Sequence, residues 1–536
     1  MKNYKYSSLL KIVSITIIVI FAIIYFVQPV LAKNFPITLL GSVVVLFAAT
    51  FIILTIQKCS LEVKFFSSLI FSVIVTAIIF VVSTTSIFHS ESYRNLLGSP
   101  KVSDFTAEIS PVDVDQIRIV DQSMAYKLAE KKLGEEPGLG SRAELGTINI
   151  QSVNGKLYWV APILHSGFFK WWTFDSTPGY VKVSASNPRD VELVKKVGGK
   201  DIQIKYQPNA FFGQSLSRHI YFSGYMTVGL TDYSFEIDDS GKPYYVVTTY
   251  DYKIGLRGAD ATGVLVVDPQ TGEITPYPIN DAPAWVDRIQ PESFVASQVS
   301  DWGKYVKGWW NSFTSKEEML TPTKGMSLVY SNGESYWYTG ISSVGRDEST
   351  VGFMLINTRT KQSHWYQQSG ATELAAKQSA EGKVQEKGYV ASFPVLYNIG
   401  GVPTYVMSLK DNAGLIKMVA MVSVEDYTIV GVGNTIRTSL RAYKSALVNK
   451  GNSLVPGTDS DMKTTTAKIT RFAVDVRGGE SFYAFTLEKI SSIFTGTSAV
   501  SAELPISKVG DKVEVQHLDS DSKVIDISRF DNLEIQ

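Results

Sequence analysis

Three long runs of apolar residues occupy most of the first 88 positions of the sequence. They cover residues 12–32, 35–56 and 65–88, and none of them contains a charged side chain. A helix needs about 20 apolar residues to cross about 30 Å of hydrocarbon, so each run is long enough to span a membrane. None of the runs has the polar face that a helix of a soluble core would show. The pattern predicts three transmembrane helices, with residues 1–88 as a membrane anchor.

The lysines around these runs predict the orientation of the anchor. Three precede the first run and two lie in the second loop: Lys2, Lys5, Lys11, Lys58 and Lys64. Positively charged loops stay in the cytoplasm. We therefore expect a multi-pass protein of the cell membrane, with a cytoplasmic N-terminus and with residues 89–536 outside the cytoplasm.

The first apolar run has a second interpretation. Val30-Leu31-Ala32 resembles a cleavage site for signal peptidase after a basic N-terminal segment. Cleavage there would leave two helices and the same final orientation. We favour retention, because the apolar run is long for a signal peptide.

Composition excludes several classes of protein. The chain has 51 basic and 51 acidic residues, with no basic footprint of the kind that binds nucleic acid, so we expect no nucleic-acid partner. Cys59 is the single cysteine, which rules out an intrachain disulfide and a cysteine-rich metal site. Aromatic residues make up 12% of the chain, enough for the part beyond residue 88 to form real cores.

Short apolar strands recur beside tight turns in this outer part. Each turn pair precedes an aromatic-rich strand, and each has a later apolar strand downstream. The turn pairs are Asn154-Gly155, Ser240-Gly241, Asn332-Gly333 and Gly400-Gly401. Such pairs suit two-residue hairpin turns, and aromatic residues suit half-buried strands. The pattern predicts four antiparallel sheets in series.

Helix candidates precede or separate these sheets. They cover residues 121–134, 294–313, 372–384 and 434–448, and the last is expected to begin at Asn434 as its N-cap. The sequence therefore predicts an α+β fold in which a helix and an antiparallel sheet form a repeated module. After a polar linker at 89–112, the predicted units are 113–200, 201–290, 291–370 and 371–448.

One stretch of the second unit carries a family resemblance. Residues 266–274, which read Val-Val-Asp-Pro-Gln-Thr-Gly-Glu-Ile, resemble the closing strand-turn-strand of a PepSY domain. PepSY domains are small extracytoplasmic units in which a helix packs on antiparallel strands, and an inhibitory or binding role has been proposed for them. The resemblance implies tandem PepSY-like modules in a membrane-anchored protein of the bacterial envelope. The first and third units lack the Thr-Gly pair, and the membership of the first, third and fourth units rests on pattern alone.

The C-terminal region has a different character. Residues 449–465 are rich in Gly, Ser, Thr and Asp and are predicted to be a linker. Residues 466–536 contain four or five short strands, which favours a small β-barrel of OB or SH3-like type.

The sequence contains no recognisable catalytic, cofactor or metal motif. The five histidines are scattered and form no H-x-x-x-H pair, and no phosphate-binding loop is present. We therefore predict no catalytic residue, no cofactor and no metal, and a protein that is not an enzyme. The aromatic pairs are either core residues or an exposed binding surface, and the candidates for that surface are Trp171, Trp172, Trp309 and Trp310.

The leading prediction is a non-enzymatic, membrane-anchored extracytoplasmic binding or scaffold protein of the cell envelope. Its expected partners are the lipid bilayer, through three helices, and an envelope protein or a second copy. One alternative is a regulator or inhibitor of an extracytoplasmic peptidase or wall enzyme. Another is an envelope hydrolase or glycan-binding protein with a dispersed site.

Overall fold

The chain is a mixed α+β protein with two long apolar helices and many β-sheets. The computed structural model describes residues 2–57, 59–105, 109–112, 116–331, 333–345, 349–449, 462–477, 480–498, 500–518 and 524–535. The chain forms two compact units. Unit 1 comprises Met1–Ser103 and Val120–Ser369, and unit 2 comprises Asp104–Ile119 and Gly370–Gln536. Most of the predicted linker at 449–465 lies outside the described residues.

Unit 1 begins with three helices, α1 (Lys2–Val27), α2 (Ile37–Ile56) and α3 (Leu61–Thr84). Two stretches, α2 and the region Leu61–Asn95 that begins with α3, are long and apolar enough to cross a membrane. The apolar stretch of α1, Ser14–Val27, is shorter than either of these two.

The boundaries of these helices differ from the predicted ones. Helix α1 ends at Val27 rather than at residue 32, because Pro29 disfavours helical geometry in the residue before it, and Gln28 has a positive φ of 49°. Helix α3 covers 61–84 rather than 65–88, because the hydroxyl of Ser60 caps it by accepting from the backbone N–H of Val63.

Small polar residues form the contact between α2 and α3. Ser68, Ser72 and Thr76 recur at four-residue spacing on α3 and are buried. The Thr76 hydroxyl lies 3.3 Å from that of Ser42 on α2. Small side chains let two apolar helices approach closely, and hydroxyl pairs hold them together inside a membrane.

Part of the predicted polar linker at 89–112 is regular structure. Helix α4 (Ser86–Asn95) follows α3 after Thr85, and strand β1 (Lys101–Val102) pairs in parallel with a later strand. The hydroxyl of Tyr93 in α4 donates to the backbone oxygen of Thr84 at 2.5 Å, which fixes α4 to the end of α3.

Three larger sheets and the two-stranded sheet β7-β8 follow in unit 1. The first has the order β2-β4-β5-β6 with β3 on β4, the second β12-β11-β10-β9, and the third β1-β18-β17-β15-β13 with β14 on β15. The strands are β2 (Ala143–Leu145), β3 (Asn149–Val153), β4 (Lys156–His165), β5 (Tyr180–Ser184), β6 (Val191–Val194), β7 (Lys196–Val197), β8 (Lys200–Asp201), β9 (Gly229–Ile237), β10 (Pro243–Ile254), β11 (Arg257–Val267), β12 (Ile274–Pro278), β13 (Leu320–Pro322), β14 (Ser327–Ser331), β15 (Glu334–Ser343), β16 (Ser349–Thr350), β17 (Gly352–Asn357) and β18 (Ser363–Tyr366). Between the first two sheets lies a core that includes Tyr180, Phe235 and Tyr245.

In the part of unit 1 that the structure describes, five shorter α-helices accompany these sheets: α5 (Gln122–Gly134), α6 (Phe168–Thr173), α7 (Leu216–Ile220), α8 (Glu292–Lys304) and α9 (Gly308–Phe313). The helix predicted at 121–134 is confirmed as α5, with Asp121 accepting from the Met124 N–H as its cap. The single helix predicted at 294–313 is wrong. It is divided into α8 and α9, since Gly308 has a φ of +78°, which a continuous helix does not allow.

Unit 2 combines a sheet of order β20-β22-β23-β24, with β21 on β22, and a closed barrel of order β25-β26-β27-β29-β28. Its elements are β19 (Gly370–Ala371), α10 (Glu373–Gly382), β20 (Val390–Ala391), β21 (Val395–Ile399), β22 (Val402–Lys410), β23 (Ile416–Ser423), β24 (Val430–Gly433), α11 (Ile436–Asn449), β25 (Met462–Arg477), β26 (Glu480–Leu487), β27 (Ile493–Thr497), β28 (Lys512–Leu518) and β29 (Val524–Asn532). The predicted small barrel is present, and its OB or SH3-like type remains a prediction. Asn434 is not the cap of α11, because the Thr435 hydroxyl accepts from the N–H of Thr438 instead.

Candidate functional site

The sheets and shorter helices of unit 1, which we call the outer domain, contact the apolar helices at one end. The backbone N–H of Leu31, just after α1, donates to the backbone oxygen of Met226 at 2.7 Å. The turn between β10 and β11 reaches the end of α3 so closely that a Cβ on Gly255 would lie 2.5 Å from the backbone oxygen of Ser83. This shared end is where the apolar helices meet the polar domain.

A cavity of about 1330 Å³ lies at this junction. Its walls come from the start of α2, the end of α3, helix α4, the β10–β11 turn and helix α8. Apolar side chains line the cavity from both sides, with Pro36, Leu39 and Phe80 on the apolar helices and Leu256, Phe294 and Ala296 on the outer domain. Most polar side chains lie on the outer domain and are Arg257, Ser293, Ser297, Gln298, Ser300 and Asp301, while Thr84, Thr85 and Ser86 lie at the end of α3 and the start of α4. The cavity is therefore amphipathic.

Gln298 is the most buried of these polar side chains, at 2% exposure. Its Nε2 donates to the backbone oxygen of Ala259 at 3.1 Å and to Oδ1 of Asp260 at 3.4 Å. Its Oε1 is buried and has no hydrogen-bond partner among the residues that the structure describes. A buried acceptor without a partner costs about 1–3 kcal/mol.

Two charged groups of opposite sign also line the cavity. Burial raises the pKa of the Asp301 carboxyl above its ordinary value, and the nearby Lys304 ammonium opposes this effect in part. Arg257 follows the β10–β11 turn and is exposed. Asp301 is the single carboxylate in the described lining, and Arg257 is the single guanidinium. The wall thus offers many uncharged hydrogen-bonding groups and little net charge.

The four tryptophans predicted as a binding surface fall in two places. Trp309 and Trp310 lie on α9, where Trp309 is half-buried beside Tyr93 and Trp310 is 70% exposed. Trp171 and Trp172 lie on α6, where Trp171 is half-buried and donates from Nε1 to Oε1 of Gln214 at 2.6 Å, and Trp172 is 71% exposed. Each pair therefore contributes one packed ring and one exposed ring.

His219 and His364 each contact a polar group of another segment of the chain. The His219 ring lies 2.7 Å from the backbone oxygen of Gly272 and packs on Tyr206, and His364 lies 3.2 Å from the Ser103 hydroxyl. Within the described part of the chain, no group of three His, Cys, Asp or Glu residues could hold a metal ion.

The sequence-based reasoning missed the polar wall of the cavity. Gln298 and Asp301 are three positions apart on α8 and so share a face, but the surrounding pattern indicated only an aromatic-rich helix. Polar residues at helical spacing within such a helix are the signal that could have directed attention to them.

No protein-family model matches the sequence, and no curated protein matches it. Among solved structures, a GH32 β-fructofuranosidase from Bombyx mori in complex with sucrose aligns with 84% of this chain and 70% of its own length, at 10% identity and a TM-score of 0.17. A levansucrase from B. megaterium aligns with 77% of this chain and 96% of its own length, at 8% identity and a TM-score of 0.18.

This finding corrects the leading prediction of a non-enzymatic binding or scaffold protein. Both structures are of glycoside hydrolases, which agrees better with the alternative of an envelope hydrolase or glycan-binding protein. TM-scores this low give no argument for a particular site or reaction in this chain. The geometry of the cavity has to supply that argument.

Proposed function

We propose that the chain is a membrane-anchored protein of the cell envelope whose outer domain binds the saccharide headgroup of a lipid-like ligand. The supporting observation is the cavity between the ends of the apolar helices and the outer domain, where apolar side chains from both sides accompany a group of polar side chains concentrated on α8. Binding pockets commonly pair a largely apolar lining with a few placed polar groups. The acyl or isoprenoid part would lie along α2 and α3, and the headgroup would contact α8.

The anchor in this proposal has three spanning helices. Helix α1 has 26 residues, and the charge-free residues 12–27 within it are about 24 Å long at 1.5 Å per residue, which would cover most of the hydrocarbon. The lysines at the N-terminal end of α1 and around the α2–α3 loop favour a cytoplasmic position for those segments. The opposite ends, where the outer domain contacts the helices, then lie at the extracytoplasmic surface.

The chemistry of the wall favours an uncharged polyhydroxylated headgroup. Ser293, Ser297, Ser300 and Gln298 offer hydroxyl and amide groups, while Arg257 and Asp301 balance each other in charge. Headgroups with several negative charges are usually held by clusters of cations. The volume exceeds the 300–1,000 Å³ that is typical of small-molecule sites, which leaves room for more than one sugar ring.

Binding fits this cavity better than hydrolysis does. Most glycosidases need two carboxyl groups on either side of the bond they cleave. In the lining that the structure describes, Asp301 has no second carboxylate beside it. Regulation of a peptidase, which the PepSY-like resemblance implies, stays a prediction that no observation tests.

The test is to count the lipids that the full chain retains. The purified protein would be exchanged into nanodiscs containing a monoglucosyl diacylglycerol, phosphatidylglycerol and phosphatidylcholine, then released for native mass spectrometry. We expect the glycolipid to be retained in preference to the other two. Ala296→Trp would fill the cavity and should reduce glycolipid retention at least about tenfold, equal to about 1.4 kcal/mol.

Ala284→Trp is the matched control, because Ala284 is exposed and lies outside the cavity lining. Equal retention by the Ala296→Trp and Ala284→Trp proteins would contradict binding in this cavity. Retention of phosphatidylglycerol in place of the glycolipid would reject a saccharide headgroup.

A further inference from the structure

Large exposed aromatic side chains of the outer domain form two patches. The first, which we call the α6 patch, contains Phe169 at 81% exposure, Trp172 at 71% and Phe212 at 54%. The second, the α9 patch, contains Trp310 at 70% and Phe313 at 71%. Soluble surfaces rarely present such clusters without a partner.

The α6 patch is connected to the outer end of α1. The guanidinium of Arg218 lies 4.6 Å from the ring centroid of Tyr25, two residues before α1 ends. The same guanidinium donates to the backbone oxygen of Phe212 at 3.2 Å. Beside this contact, the Phe222 ring lies 6.0 Å from that of Tyr25. The patch therefore lies near the level of Tyr25 along α1.

The α9 patch has the same relation to the outer end of α3. The rings of Trp309 and Phe313 stack at 5.7 Å, and Trp309 packs against the cluster formed by Tyr93 of α4, Ile254 and Tyr305. Tyr93 in turn bonds to the backbone of Thr84, the last residue of α3. Trp310 and Phe313 thus project from a short helix fixed close to the point where α3 ends.

We infer that both patches lie in the interfacial layer of the outer leaflet and hold the outer domain against the bilayer. Trp and other aromatic side chains favour this layer, where an apolar ring can sit below a wet surface. Lys170, between Phe169 and Trp171 on α6, and Arg218 supply cations at the depth of the lipid phosphates. Two patches beside different helices would restrict tilting of the domain and keep the mouth of the cavity at the membrane.

This inference rests on the membrane anchor of the proposed function, and a depth measurement can test the two separately. In a Cys59→Ser background, single cysteines replace Phe169, Trp172, Phe212, Trp310 or Phe313 in the full chain, and each carries a nitroxide in liposomes of phosphatidylcholine and phosphatidylglycerol. Collision with oxygen, which concentrates in the bilayer, is compared with collision with a water-soluble nickel chelate.

Two reference positions calibrate the measurement. Ile20→Cys lies within the apolar stretch of α1 and reports on the anchor itself. Ser240→Cys is exposed in the turn before β10, and β10 extends over residues 243–254 before it reaches the end of α3, so the turn lies about 35 Å away at 3.3 Å per residue. We expect the patch positions to give an oxygen-to-nickel ratio several-fold above that of Ser240→Cys and below that of Ile20→Cys.

Patch ratios equal to that of Ser240→Cys, with Ile20→Cys still protected from nickel, would overturn the inference while leaving the anchor intact. A nickel-accessible Ile20→Cys would reject the anchor and the inference together.

A second variant controls for disturbance of the structure by the label. Phe169→Ser with Trp172→Ser changes exposed side chains only, and it should shift the label at Phe212 towards water. An unchanged Phe212 ratio would count against insertion of the α6 patch.

Discussion

The Gln298 carboxamide donates a hydrogen bond to the backbone oxygen of Ala259 at 3.1 Å, and this contact joins helix α8 to strand β11 at the wall of the cavity. The Oε1 of the same side chain is buried without a partner among the described residues. One side chain thus fixes the wall and also leaves a buried acceptor unsatisfied within it. This combination makes Gln298 the most informative position at which to separate structure from binding.

Gln298→Leu should weaken ligand binding much more than it weakens the fold. The lost hydrogen bond is worth about 1 kcal/mol, and removal of an unsatisfied buried oxygen offsets much of that loss. The expected result is reduced glycolipid retention in native mass spectrometry with a nearly unchanged unfolding midpoint. Gln122→Leu is the matched control, because Gln122 makes a similar bond from Nε2 to the Ile148 oxygen at 3.2 Å away from the cavity. Equal retention by the two variants would remove Gln298 from the site.

Stability should fall as pH rises from about 4.5 to 7, because of the buried Glu236. Burial raises the pKa of its carboxyl to about 7, against the partial opposition of Arg288 and of a hydrogen bond from Ser234. A carboxyl whose pKa is raised by folding stabilises the fold below its unfolded pKa, and this contribution is lost as pH rises through the folded value. The difference corresponds to about 3 kcal/mol at most.

Glu236→Gln should flatten this dependence and should be the more stable protein at pH 8. Thermal unfolding of both proteins in mild detergent at pH 5 to 8 is the measurement. Asp287, whose pKa burial raises to about 6, acts in the same direction, so the variant should keep a smaller slope. Identical slopes in the two proteins would mean that Glu236 is already ionised in the folded state.

The contact between α2 and α3 should depend on small residues. Ser72 is fully buried on α3, so Ser72→Leu would force extra volume into the contact at a cost of about 1–3 kcal/mol. Val73→Leu is the control, because Val73 is 50% exposed on the same helix. The unfolding midpoint in mild detergent should drop for the first variant and stay near wild type for the second. A drop of the same size in both would point to a general effect of the added volume.

Local features of the fold could be predicted from the sequence, and features assembled from distant segments could not. The cap of α5 is a short-range device, in which Asp121 meets the N–H of a residue three positions later, and the prediction of this helix is confirmed. The break between α8 and α9 depends on a positive φ at Gly308, which the surrounding apolar pattern conceals. Because of that break, the prediction of one continuous helix was wrong.

The candidate site could not be predicted for the same reason, because the residues that line the cavity come from distant segments of the sequence. Arg257 comes from a hairpin turn, Asp301 from a helix and Phe80 from the anchor, so more than 200 residues of the sequence separate parts of one lining. Their proximity follows from packing of the outer domain on the ends of the helices, which no local pattern encodes. Trp172 and Trp310 were identified as candidates from composition, while the exposure of each ring required the structure.

The orientation of the anchor gives the last prediction, and Cys59 makes it testable with few changes. Its thiol is half-exposed in the loop between α2 and α3, at the end of these helices opposite to the outer domain. The lysine pattern predicts that this loop lies in the cytoplasm. A membrane-impermeant maleimide should therefore leave Cys59 unlabelled in intact cells and should label it after permeabilisation.

Ser240→Cys in a Cys59→Ser background should be labelled without permeabilisation, because that turn belongs to the outer domain. Labelling of Cys59 in intact cells, with protection of the cysteine at position 240, would reverse the orientation and put the cavity on the cytoplasmic side.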